Sequence, residues 1–146
     1  MHANSALLAM SDNLLEDLPD ALGDAGSLTE LHMDRNRLTR LPNSLGQLQL
    51  LKVLLVKENR LESVPDSLVD LGALETLDLS ENLLATLPQE GCALERLKTA
   101  RLGGNALLDV PDCFVGPALH KLDISRNQIS ALPALSYSEQ IAVVDA

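Results

Sequence analysis

Large rings are almost missing from this sequence. Phe114 and Tyr137 are its only aromatic residues and tryptophan is absent, yet hydrophobic residues occupy 46% of the 146 positions. A globular core of this size normally uses several rings to fill the space between its layers. A core of uniform branched aliphatics points instead to a thin layer built over and over from one residue type. Basic residues are scarce as well. Eleven Lys and Arg stand against 21 Asp and Glu, a formal net charge of -10. Such acidity repels phosphate backbones and anionic lipid, which argues against nucleic-acid or membrane-surface binding. No Asn-x-Ser/Thr acceptor occurs. The opening residues Met1 to Leu8 carry no basic region and too short an apolar run for a signal peptide. No stretch approaches the length of a membrane span. Cysteine is confined to Cys92 and Cys113, which frame no metal or redox motif and no paired cap. Together these absences lead to the expectation of a reducing, cytoplasmic setting.

What the sequence has in abundance is one pattern. Asn13, Asn36, Asn59, Asn82 and Asn105 recur every 23 residues, and Asn127 follows after 22. Each keeps the same company. Five positions earlier stands Leu8, Leu31, Leu54, Leu77, Ala100 or Leu122. Three earlier stands Met10, Met33, Val56, Leu79, Leu102 or Ile124, and two later Leu15, Leu38, Leu61, Leu84, Leu107 or Ile129. An aliphatic residue and then Pro19, Pro42, Pro65, Pro88, Pro111 or Pro133 complete the unit.

The L-x-L segment alternates with period two, so its apolar residues share one face of a strand. The proline cannot donate to a ladder and turns the chain away. Apolar residues then return at helical spacing, as in Pro65 to Leu71, which predicts one short helical turn. Such a unit cannot bury its apolar face alone, so units must stack, with strands about 4.8 Å apart in a parallel sheet. The asparagine falls where the strand bends, and its amide can satisfy backbone groups stripped of partners there.

The pattern L-x-x-L-x-L-x-x-N-x-L-x-x-L-P, complete from Leu51 to Pro65, resembles the intracellular 23-residue subtype of the leucine-rich-repeat family. The resemblance runs from Leu7 to Pro133. It implies an α/β fold: a right-handed solenoid with a concave parallel sheet, short helices or turns on the convex side, and protein binding by the sheet. It also implies a signalling scaffold, the subtype being found in scaffolds for small GTPases and phosphatases. One domain over 1-146 is expected, with repeats at about 5-27, 28-50, 51-73, 74-96, 97-118 and 119-140. Ile141 and Val144, 22 residues after Leu119 and Leu122, open a possible seventh unit. Ser5, Gly91, Ala100 and Gly116-Pro117 depart from the pattern, and the turn at the last pair is expected to be irregular.

The register also assigns the residues that face outward from the strands. They carry seven acids (12, 30, 34, 58, 78, 81 and 123) and five bases (35, 57, 101, 121 and 126). A mixed face suits a protein partner with patterned charge better than a polyanion. Val53 and Leu55 stand out, because both should face solvent on the middle rungs. Either they form an apolar hot spot ringed by Glu30, His32, Glu58, Thr76 and Asp78, or they are single apolar residues of an ordinary surface. Asp78, Arg101 and Asp123 share a column, and a structural charge ladder explains them more simply than a partner contact. These residues, with Glu81, form the candidate binding face. Gly103-Gly104 either opens space beside Arg101 or marks an irregular turn.

Chemistry finds no foothold. His2, His32 and His120 occupy different registers, so they do not converge on a metal. No base adjoins a nucleophile across neighbouring rungs. Gly103-Gly104-Asn105 lacks dinucleotide-binding spacing. Cys92 and Cys113 are expected to be small apolar residues on the convex side. No catalytic residue, metal, cofactor or small-molecule substrate is therefore expected. The reading is a binding module; the alternative is a substrate-recognition segment of a larger enzyme, such as a kinase or ubiquitin ligase.

Overall fold

A computed structural model describes residues 6–132 and the strand at 142–144. Seven strands lie in chain order in one parallel sheet: β1 (Ala6–Ala9), β2 (Leu28–His32), β3 (Val53–Leu55), β4 (Thr76–Asp78), β5 (Thr99–Arg101), β6 (Lys121–Asp123) and β7 (Ala142–Val144). Each strand opens one rung of a leucine-rich-repeat solenoid. The central aliphatics stack in register, Leu31 on Leu54, Leu54 on Leu77, Leu77 on Ala100 and Ala100 on Leu122, and all five are fully buried. One aliphatic cluster fills the interior from Leu18 to Ile124. The seventh strand differs by one residue from the expected register. Val143, not Val144, lies opposite Leu122. Ser5, Pro133 and Ile141 lie outside the described residues.

The asparagines tie each rung to the one before. Asn59 Nδ2 donates to Met33 O at 2.9 Å and to Val56 O at 3.2 Å, while its Oδ1 accepts the Leu38 N–H at 3.0 Å. Asn36, Asn82, Asn105 and Asn127 repeat this arrangement. The bend leaves these carbonyls and amides without sheet partners, and one side-chain amide serves three of them.

Each proline on rungs one, two, three and five sits in extended backbone and leads into a short 3-10 turn: Asp20–Asp24, Asn43–Gln47, Asp66–Asp70 and Asp112–Phe114. The turns pack closely. A Cβ on Gly46 would lie 2.7 Å from Ser67 Cβ, so only glycine fits. Hydroxyls join the first three turns, with Ser44 Oγ donating to Asp20 O at 2.7 Å and Ser67 Oγ to Asn43 O at 2.8 Å.

Rung four breaks this series. Gly91 stands where the neighbouring turns place Leu22, Leu45, Leu68 and Phe114; its φ is +75°, and no 3-10 turn forms. Glu90 takes the serine position. The rung-to-rung tie becomes covalent instead: Cys92 and Cys113, separated by 21 in sequence, form a disulfide with a Cα–Cα distance of 5.4 Å. This corrects the expectation of two unlinked apolar cysteines. Ten and eight residues after their asparagines, they look out of register along the sequence. The irregular loop of rung four absorbs that two-residue offset and brings Cys92 over Cys113. Cys113 is buried and Cys92 exposed. Closing a loop of this length removes enough unfolded-chain entropy for about 3 kcal/mol. The Cys92→Ser/Cys113→Ser protein is expected to lose about that much, read as a lower urea midpoint at an equal or larger slope.

Candidate functional site

Two columns of side chains cross the open face of the sheet. Leu7, Glu30, Val53, Thr76, Thr99 and Lys121 form the first, and Ala9, His32, Leu55, Asp78, Arg101 and Asp123 the second. Alternation alone produces this, because the residues between them point into the core. Val53 and Leu55 are half-buried and outside the core cluster, so they do face outward at the third rung. Glu30, His32 and Thr76 surround them at the same half-buried level. His32 Nε2 lies 2.9 Å from Glu30 Oε2. It is off the line that a ring N–H requires, and among the described residues it has no hydrogen-bond partner.

The expected charge ladder is not there. Asp78 Oδ1 accepts the N–H of Ser80 at 3.0 Å together with its hydroxyl, and Asp123 Oδ1 binds Ser125 in the same way. Asp78 is only 7% exposed. A carboxylate finds these partners two residues along its own chain, whereas pairing with Arg101 would immobilise a long, well-hydrated side chain. Among the described residues no carboxylate comes within ion-pair distance of Arg101, which remains half-buried between them. Asp34, on rung two, accepts the Lys57 N–H at 2.7 Å. Burial pushes its carboxyl up despite that bond, with the Asp78 charge adding to the effect.

One feature of the face has no counterpart in the sequence reading. The residue before each asparagine is left-handed: Asp12, Arg35, Glu58, Glu81 and Arg126 at φ +49° to +61°, and Gly104 at +69°. Their side chains form a charged rim along one border of the sheet. Arg35 pairs with Asp12, its Nη2 donating at 3.0 Å, and this contact holds the exposed Asp12 carboxyl below its usual range. Glu58 lies 3.9 Å from Lys57 Nζ. Glu81 reaches over rung five to pair with Arg126. That reach explains Gly104, where a Cβ would sit 2.7 Å from Glu81 Cδ; Gly103 is crowded separately by rung six, a Cβ there falling 2.8 Å from Ser125 Oγ. Glycine at 104 was the single hint of the left-handed position, since charged residues fill it elsewhere.

Among the described residues no group of three potential metal ligands converges, and no helix is long and apolar enough to cross a membrane. The "Leucine rich repeat" family model matches residues 26–84 and 49–107, together more than half of the chain. No curated protein sequence matches it. Among solved structures, the chain is similar to a leucine-rich-repeat protein of Leptospira interrogans, with 32% identity and a TM-score of 0.80 over 90% of this chain and 34% of that one. It is similar to the ectodomain of the Arabidopsis thaliana membrane receptor kinase GASSHO1/SCHENGEN3, solved in complex with CASPARIAN STRIP INTEGRITY FACTOR 2. There the identity is 31% and the TM-score 0.80, over 89% of this chain and 16% of that one. YopM from Yersinia enterocolitica gives 30% identity and a TM-score of 0.80 over 94% and 28%. The chain thus spans 16% to 34% of the length of these three structures.

Proposed function

The chain belongs to the leucine-rich-repeat family, and from that premise we propose that it is a protein-interaction module whose partner seats on the concave sheet around Val53 and Leu55. The observation that carries this reading is the pair of aliphatic side chains held open to solvent at the third rung, between half-buried polar and charged neighbours. A desolvated apolar centre inside a polar border is the arrangement that concentrates binding energy in protein interfaces. Glu30, Glu58, Asp78, Glu81, Asp123 and the unpaired Arg101 supply patterned charge for selectivity, and Thr76 a hydroxyl. A signalling scaffold is the form of module proposed. A second reading, the recognition segment of a larger multidomain protein, is favoured by the small share of each matched structure that the chain spans. The flanking coding sequence decides between the two.

Leu55→Asp places a charge at the centre of the face. It is expected to weaken partner binding by about 2 kcal/mol, roughly thirtyfold, with an unchanged melting temperature. Quantitative affinity purification with the two proteins reads this out. If the variant retains every partner of the parent, the concave reading fails.

The compartment is tied to the cysteines. A cytoplasmic location fits the dithiol, and the Cys92–Cys113 bond fits an oxidising compartment. We propose the oxidising compartment, because the bond replaces the serine tie where that tie stops. Alkylation of the protein from its native source, followed by mass measurement, distinguishes the two.

A further inference from the structure

A second surface lies on the flank where the chain leaves the sheet. One and three residues after each asparagine, side chains project on either side of the buried leucine. The ladder Arg60 N to Leu38 O, Leu83 N to Leu61 O and Ala106 N to Leu84 O, each 2.8 to 2.9 Å, holds these rungs in register. It aligns Arg37, Arg60, Leu83 and Ala106 in one column, with Ala85 and Leu108 beside the last two. Leu83 is 59% exposed and Leu108 62%. On rungs four and five all four of these flank positions are apolar.

The basic half of the column sets two free charges side by side. Of the eleven Lys and Arg, Arg35, Arg40, Lys57, Lys98 and Arg126 have carboxylate partners; among the six without one in the described residues, only Arg37 and Arg60 share a column on neighbouring rungs. Arg37 and Arg60 are exposed on neighbouring rungs, and among the described residues neither has a carboxylate within 4.0 Å. Glu62, three residues after Asn59 on the same flank, does not come within ion-pair distance of Arg60. The two side chains spring from backbones about 4.8 Å apart, so their like charges repel and an acidic group lying over both would be attracted by the pair.

We propose that this flank docks an extended segment of another protein, with carboxylates at positions i and i+2 over Arg37 and Arg60 and an aliphatic side chain at i+4 over Leu83 and Leu108. Alternate residues of a strand share a face and stand about 6.6 Å apart, so five residues cover the four rungs, which span about 14 Å. A second copy of this chain is a poor occupant, because it brings another -10 charge. The site is separate from the concave face, and its success or failure is independent of that reading.

The test uses a fluorescein-labelled capped peptide, Ser-Glu-Thr-Glu-Thr-Leu-Thr, with anisotropy for affinity and amide chemical shifts for location. Shifts are expected at 37–39, 60–62, 83–85 and 106–108. Arg37→Glu/Arg60→Glu and, separately, Leu83→Ser/Leu108→Ser should each weaken binding at least about tenfold. Melting curves confirm that both fold, and Leu55→Asp should bind the peptide as the parent does. The proposal is overturned if no flank amide moves at millimolar peptide, or if the shifts map to the strands of the sheet. Dimerisation in sedimentation equilibrium that Leu83→Ser/Leu108→Ser abolishes also overturns it, in favour of a second copy.

Discussion

Replacing Asn82 with alanine is expected to cost about 4 kcal/mol, well beyond an ordinary surface hydrogen bond. Its Nδ2 donates to Val56 O and Leu79 O, both at 3.0 Å, and its Oδ1 accepts the Leu61 N–H at 3.0 Å. The side chain is 6% exposed. A hydrogen bond exchanged for one with water is worth about 1 kcal/mol, whereas a buried group left without any partner loses about 1–3 kcal/mol. Alanine leaves the buried Leu61 N–H with no partner and takes one of two amide donors from Val56 O, which keeps Asn59, and from Leu79 O, which keeps Asn105. One unmet donor and two lost bonds together make up the loss. Asn13 provides the control within the same molecule. It is exposed and, among the described residues, bonds only to the carbonyls of Met10 and Ser11 on its own rung. Asn13→Ala should therefore lose under about 1 kcal/mol. Urea titration of both variants makes the comparison, and equal losses would mean that the asparagine column carries no special load.

Phe114→Ala is expected to be similarly damaging, at about 4 kcal/mol. The ring is fully buried and stands in the convex column that Leu22, Leu45 and Leu68 occupy on earlier rungs. One rung before it, Gly91 contributes no side chain to that column. Cavity cost depends on how far the surroundings can collapse. Here collapse is resisted on both sides, by the strand and asparagine ladders at the front and by the disulfide at the adjacent Cys113. Leu108→Ala, which trims an exposed side chain of comparable size, should stay within about 0.5 kcal/mol. Calorimetry or urea unfolding separates the two, and a small effect at Phe114 would show that the back of rung five is loosely packed.

The solenoid was legible in the sequence because its determinants are local and repeated. A leucine at a fixed distance from an asparagine specifies the inward face of its strand without reference to any other rung. For the same reason Val53 and Leu55 could be placed on the open face from alternation alone. The features that escaped depend on geometry between rungs or on choices among partners. Asp78 was expected to reach for Arg101, but Ser80 offers it two donors at almost no conformational cost. Cys92 and Cys113 were set apart by their linear registers, and only the helix-free loop around Gly91 brings them together. The left-handed residues before the asparagines carry ordinary charged side chains, so nothing but Gly104 betrayed them. The flank patch is not legible in the sequence, because each of its leucines, taken singly, is an unexceptional exposed residue.

A repeat array held only by neighbours yields to tension one unit at a time, from whichever end is gripped. The sulfur bridge changes what such a pull can draw out. The chain between the two cysteines, 21 residues apart in sequence, lies off the path of the load, and at about 3.5 Å per residue it keeps roughly 70 Å of contour in reserve. Oxidised, the chain is a short tether with a knot that force alone cannot undo; reduced, it pays out its full length.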